Sequence, residues 1–188
     1  FGAADGGNIA DASEVSVIGG LQDVSVVIIR TFAGGRGGDL TIDTDRLLLQ
    51  NGGTIANNVN RGSGSAGNVT VNATESVEIG GSGGISNSLL GSSAVSQSGS
   101  SGSITVNTPR LVVSDSAVIS SSNYGSGTAG SVTINASESI EVRGTGFNGT
   151  TRQIQPSAIQ SAGILAPPVA QQQFGLSNTV TGPAGNVT

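Results

Sequence analysis

The chain has 188 residues, 31 of them glycine, a formal net charge of −5, no cysteine, methionine, tryptophan or histidine, and arginine as its only basic residue. A sequence pI near 4.4 without a basic stripe excludes nucleic acid as a partner, and no apolar run has the length of a membrane span. Aromatics at 3% and charges at 10% are too few for a mixed globular core or a typical disordered chain, so the composition points to a repeat in which every unit supplies the same few small aliphatics.

The first residues, FGAADGGNIADA, show no signal-peptide pattern, and Gly6 to Ile9 (GGNI) already resembles the start of a repeat unit. Leu21 to Thr31 (LQDVSVVIIRT) is a denser apolar strand of unassigned register. From Gly37 the phrase GGDLTIDTDRLLLQNGGTI begins, and it returns from Ser101 as SGSITVNTPRLVVSDSAVI. Half-step versions, AGNVTVNATESVEIGGSGGI from Ala66 and AGSVTINASESIEVRG from Ala129, interleave with both, so one unit takes about thirty residues and reads as one coil of a solenoid.

Within each unit apolar residues alternate with threonine and Asx: Leu40 and Ile42, Val69 and Val71, Ile104 and Val106, Val132 and Ile134. Period two is the strand signal. A second strand carries Leu47 and Leu49, Val77 and Ile79, Leu111 and Val113, Ile140 and Val142, and a third centres on Ile55, Ile85 and Ile119. Three short strands per coil, joined by Gly, Ser and Asn corners, describe an all-β parallel β-helix whose coils rise by about 4.8 Å. Ile9, Leu40, Val69, Ile104, Val132 and Val187 are expected to form one buried stack.

The first corner alternates between seven residues (Leu40 to Leu47, Ile104 to Leu111) and eight (Val69 to Val77, Val132 to Ile140), which makes the pair of coils the true repeat. Glycine-rich linkers such as Arg61 to Gly67 (RGSGSAG) and Tyr124 to Gly130 (YGSGTAG) are expected to be turns that need positive φ. Residues 1–188 read as a single β-helix segment, with 144–182 an insert in one coil whose Ala158 to Gly163 rejoins the third sheet. The last residues, GPAGNVT, repeat the opening of a coil. Self-association or covalent continuation along the axis is therefore expected.

The chain lacks the His or Lys base that nucleophilic catalysis would use. Glu78 and Glu141 fall two coils apart, near 10 Å, at the outer limit for inverting glycosidases. No enzyme activity and no cofactor is expected. Asp39, Asp43 and Asp45 have calcium-type oxygens, but Asn72, Asn107 and Asn135 replace Asp43 in other coils, which favours an Asx ladder. Arg46, Glu75, Arg110 and Glu138 occupy matching corner places with alternating sign and form a candidate charge ladder that resists slippage by one coil. Phe147 and Phe174, in the insert, are candidate lateral or ligand contacts.

The phrases GGDLTIDTDRLLL, AGNVTVNATESVEI and AGSVTINASESIEV resemble the repeats of filamentous haemagglutinin-like exoproteins of the Ser/Gly/Asn-rich kind common in cyanobacteria. The resemblance covers Gly37 to Arg143 well and Gly6 to Gly20 weakly. It implies a right-handed β-helix, two-partner secretion, an extracellular or cell-surface location and a structural or adhesive fibre role, with surface glycans as a further partner. The alternatives are a polysaccharide-binding or polysaccharide-active β-helix, and an ice-binding one displaying the Thr41, Thr70, Thr105 and Thr133 column.

Overall fold

The computed structural model describes residues 7–18, 26–32, 35–60, 63–81, 87–148, 152–165, 168–174, 176, 178–180 and 182–188. They form a parallel β-solenoid of about 4 turns at a spacing of about 30 residues. Its strands are β1 (Gly7–Ile18), β2 (Val26–Phe32), β3 (Leu40–Gln50), β4 (Thr54–Asn60), β5 (Val69–Gly80), β6 (Leu89–Val95), β7 (Ile104–Ser114), β8 (Val118–Asn123), β9 (Val132–Arg143), β10 (Thr145–Asn148), β11 (Gln153–Pro156) and β12 (Ala158–Gly163), with one short helix, α1 (Pro168–Phe174). One parallel sheet runs β1-β3-β5-β7-β9 and a second runs β12-β8-β6-β4-β2, while β10 and β11 form a separate antiparallel hairpin.

The first two strands expected in each coil are one continuous strand that turns its corner at a bulge. The register shifts between Thr44 and Arg46 where β3 meets β5, and between Thr108 and Arg110 where β7 meets β9. Seven-residue and eight-residue corners lie against each other there, and the bulge absorbs the extra residue without breaking the ladder on either side. Thr44 and Thr108 fasten the short corners, each hydroxyl donating to the carbonyl of the arginine two residues on at 3.0 and 3.1 Å.

The core is a set of columns. Leu40, Val69, Ile104 and Val132 stack in register, as do Ile42, Val71, Val106 and Ile134. All are fully or almost fully buried except Ile134, which packs against the cluster from its edge. Val187 bridges to Val132 at the end of the first column, but it is 48% exposed and so does not join the buried stack as expected, because no further coil covers it among the described residues. Ile9 does not belong to that column: it pairs with Ile42, and Gly7 pairs with Leu40. The GGNI phrase is thus offset by two residues from the GGDL phrase it resembles, because period-two alternation fixes which face a residue takes and not which pair it joins.

The third column is Ile55, Leu90, Ile119 and Ile159. Leu90 takes the place expected of Ile85, which lies outside the described residues; the second coil reaches its third strand later, through a longer corner. Ala158–Gly163 rejoins this sheet as expected, with Ile159 on Ile119. The denser apolar strand near the start also finds its register here, Val27 lying on Ile55.

Among the described linker glycines none has positive φ, and most are required by close approach. Gly67, Gly102, Gly130 and Gly185 sit above one another, and a Cβ on any of them would overlap a glycine carbonyl of the preceding coil; on Gly102 it would strike the Gly67 oxygen. Positive φ is found instead at the corner before the third strand, at Asn51 (52°) and Gly52 (86°), Gly81 (75°), Asp115 (54°) and Ser116 (69°), and Gly144 (79°). Glycine, asparagine and aspartate are the residues that tolerate this region.

Val106 is 0% exposed in the middle of its column. Val106→Asp places an unpaired carboxylate in that dry interior and is expected to cost about 3 kcal/mol or more, measured by urea denaturation.

Candidate functional site

Two polar ladders run along the outside of the first sheet. In one, the Asn72 amide donates to Asp43 Oδ1, Asn107 donates to Asn72 Oδ1 and Asn135 donates to Asn107 Oδ1, each at 2.7 Å. The partners are 29, 35 and 28 residues apart in sequence and one coil apart in space. Asp43 sets the direction. A carboxylate only accepts, so Asn72 turns its nitrogen toward it and its oxygen toward Asn107, and the same choice passes up the stack. In the second ladder side chains accept from the backbone of the next coil: Asn68 N donates to Asp39 Oδ1 (2.7 Å), Ser103 N to Asn68 Oδ1 (3.0 Å) and Ser131 N to Ser103 Oγ (3.2 Å).

These bonds engage one carboxylate oxygen each of Asp39 and Asp43, oxygens that could otherwise be offered to calcium. Asp45 likewise accepts from the Thr74 hydroxyl at 2.6 Å, and among the described residues no group of three or more metal-ligating side chains forms. Thr41, Thr70, Thr105 and Thr133 line up in register beside the Asx column. Glu78 and Glu141 both pair with Val112, which sets them two coils apart as expected.

The four corner charges are brought together as two pairs and not as one ladder. Arg46 Nε lies 2.7 Å from Glu75 Oε2, and Arg110 Nε lies 4.0 Å from Glu138 Oε2. The hydrogen bond that Arg46 donates to Glu75, and then the charge of that carboxylate, raises the pKa of the exposed Arg46 guanidinium above its ordinary value. Among the described residues no ion pair joins Glu75 to Arg110. Arg46 stands opposite Ser76, Ser76 opposite Arg110, and Arg110 opposite Ser139. Each glutamate is the extra residue of an eight-residue corner, displaced into the bulge and aimed at the arginine of the preceding coil. A serine therefore separates the arginines in the column, and the link that would have made the ladder continuous is missing.

The insert emerges at the positive-φ corner. Gly144 begins it, the hairpin β10–β11 extends from it, and Ser157 closes it by donating to Arg143 O (2.7 Å) and accepting from Ser116 N (3.0 Å). Two coils earlier Gly81 and Ser88 do the same: Ser88 Oγ donates to Gly80 O (2.8 Å) and accepts from Gly52 N (3.1 Å). The second and fourth coils thus carry longer segments fastened by equivalent serines. Phe147 sits on the hairpin opposite Ile154, the two side chains 54% and 73% exposed, and so does not pack onto the solenoid flank. Phe174 ends α1, and its side chain lies outside the described residues.

Where the two longer segments meet, they enclose a groove of about 360 Å³ on the outer face of the second sheet. The Asn148 amide donates to Asn87 Oδ1 at 3.0 Å, and Asn87 donates to Gln155 Oε1 at 2.8 Å, tying hairpin to corner. The floor between them carries Ser93 donating to Asn58 (2.8 Å) and Gln160 donating to Ser120 (3.2 Å). Tyr124, the one tyrosine of the chain, lines the groove. Burial raises its phenol pKa. These residues come from four coils and a hairpin, and their spacing in sequence does not announce them. The signal that was present is the pair of irregular stretches in the second and fourth coils.

Among the described residues no helix is long and apolar enough to cross a membrane. No family model, curated protein or solved structure matches the chain.

Asn107 makes two contacts in the Asx ladder, one to each side, and Asn135 makes the one to Asn107. Asn107→Ala is therefore expected to destabilise by about 1–3 kcal/mol and Asn135→Ala by about half as much, compared by denaturant midpoints at constant m.

Proposed function

We propose that this chain is a secreted structural or adhesive segment of a bacterial cell-surface or extracellular fibre, of the filamentous haemagglutinin-like kind, and that it is not an enzyme. The observation that carries this reading is the Asp43–Asn72–Asn107–Asn135 ladder, in which each coil is bonded to the next along the axis. It supports a role in bearing load: columns of this kind supply cohesion in one direction and place no reactive group. The absence of His, Lys and Cys from the chain fits the same reading, since these supply most bases and nucleophiles. Self-association or covalent continuation would act along the same axis, with surface glycans as the adhesive target.

Force spectroscopy tests the mechanical part. Pulling from both termini is expected to release coils in successive steps, each lengthening the chain by about 100 Å, the contour of some thirty residues less one strand spacing. Extension at low force without coil-sized steps would overturn the load-bearing role, and depolymerisation of a polysaccharide by the purified chain would overturn the non-enzymatic one.

A further inference from the structure

We infer that the groove beneath the β10–β11 hairpin binds an uncharged saccharide. This deepens the adhesive part of the reading above and rests on it for its cellular setting, while the binding itself is a property of the groove.

The lining selects by charge first. Among the described residues it contains asparagine, glutamine, serine, small aliphatics and Tyr124, and no aspartate, glutamate or arginine. A charged ligand entering this space would lose hydration without gaining a counter-charge. The hydrogen-bonding groups select next. Asn58, Asn87, Asn148, Gln155 and Gln160 all reach the groove, and a side-chain amide holds a donor and an acceptor in one plane, the arrangement that matches two neighbouring hydroxyls of a sugar ring. Serine hydroxyls between them both donate and accept.

The third selection is for an apolar face. Tyr124, Leu89, Val118 and Ile164 supply the apolar part of the lining, where the C–H face of a pyranose can be desolvated while its hydroxyls stay bonded. A ligand that is polar around its rim, apolar on one face and without charge is a neutral pyranose. The volume of about 360 Å³ is at the lower end for small-molecule sites, suited to about one or two rings. An extended peptide fits less well: β4, β6 and β8, which floor most of the groove, are each paired on both sides and offer no free edge for strand addition.

The groove is also held open from both sides. The Asn148–Asn87–Gln155 bonds fix the hairpin over the floor, and the clamp serines Ser88 and Ser157 anchor the two segments that carry them. A site built in this way loses little freedom when a ligand enters.

The test is calorimetric and NMR titration of the 188-residue chain with maltose, cellobiose, lactose and mannobiose, and with a glucuronate-containing disaccharide as the charged probe. At least one neutral disaccharide is expected to bind with a dissociation constant of about 1 mM or tighter, and the charged probe at least about tenfold more weakly. Tyr124→Ala and Gln160→Ala are each expected to weaken binding by about tenfold or more, and Tyr124→Phe, which keeps the ring, by less. Circular dichroism establishes that each variant is folded; should Tyr124→Ala not fold, Gln160→Ala and Asn58→Ala decide. Absence of binding for all four neutral sugars, equal or better binding of the charged one, or affinity untouched by the folded variants would overturn the inference. None of these results alters the coil-sized steps under force, so failure of the groove and failure of the fibre role are separable.

Discussion

In this molecule each residue's neighbour along the axis is its own counterpart in the next coil, one strand spacing away. That constraint governs the rest of the structure. A column survives only if its members tolerate repetition at about 4.8 Å. Aliphatic side chains do so by dispersion and exclusion of water, and the Leu40 and Ile42 columns run buried through the coils for this reason. Amides do so because each holds a donor and an acceptor, so Asn72, Asn107 and Asn135 bond like to like. Carboxylates and cations do not, since equal charges at that distance repel. This accounts for a chain with 10% charged residues, and for the serine that stands between Arg46 and Arg110 in their column.

The same constraint acts on the backbone. Where coils close through the linkers, chains approach until a Cβ on Gly67, Gly102 or Gly130 would enter the carbonyl of the coil before it. Buried and half-buried serines then take up the polar groups that this approach leaves inside. Ser121 Oγ donates to Gly102 O at 3.0 Å, and Ser161 Oγ to Gly130 O at 2.7 Å. The interior of the solenoid is therefore divided. Aliphatic columns fill the part bounded by the long strands, and a hydroxyl seam fastens the glycine side. Asn57 holds the corresponding place in the first coil, its nitrogen 2.7 Å from Gly38 O, while its Oδ1 is buried without a protein partner.

What could be read from the sequence was whatever repeats. The aliphatic pairs, the Asx column and the return of Ala158–Gly163 to the second sheet all follow from alternation and spacing, because each is a local pattern copied from coil to coil. Legibility failed where neighbouring coils differ. The offset of Ile9 and the use of Leu90 in place of Ile85 depend on corner lengths, which alternation along a strand does not encode. The charge ladder broke for a related reason: an eight-residue corner against a seven-residue one moves a glutamate out of the column that its position in the phrase suggested. The glycines were recognised as necessary but assigned the wrong necessity. Crowding between coils is a property of the stack, and a linker inspected alone does not display it. The groove was least legible of all, since its residues are gathered from places with no common phrase.

The serine-fastened corner separates what the molecule must keep from what it is free to vary. At Gly81 and Ser88, and again at Gly144 and Ser157, the same few bonds fasten the chain to the stack on either side of a departure from the repeat, although the second is twice as long and contains a hairpin. The length and content of such a departure do not reach the columns beneath it. The solenoid thus acts as a graduated rail: its pitch fixes the distance between successive mounting points, two coils or about 10 Å here, and the mounted segments are exchangeable. Diversity of surface can accumulate on such a rail by substitution of corners alone, and any new surface would appear at a spacing already set by the core.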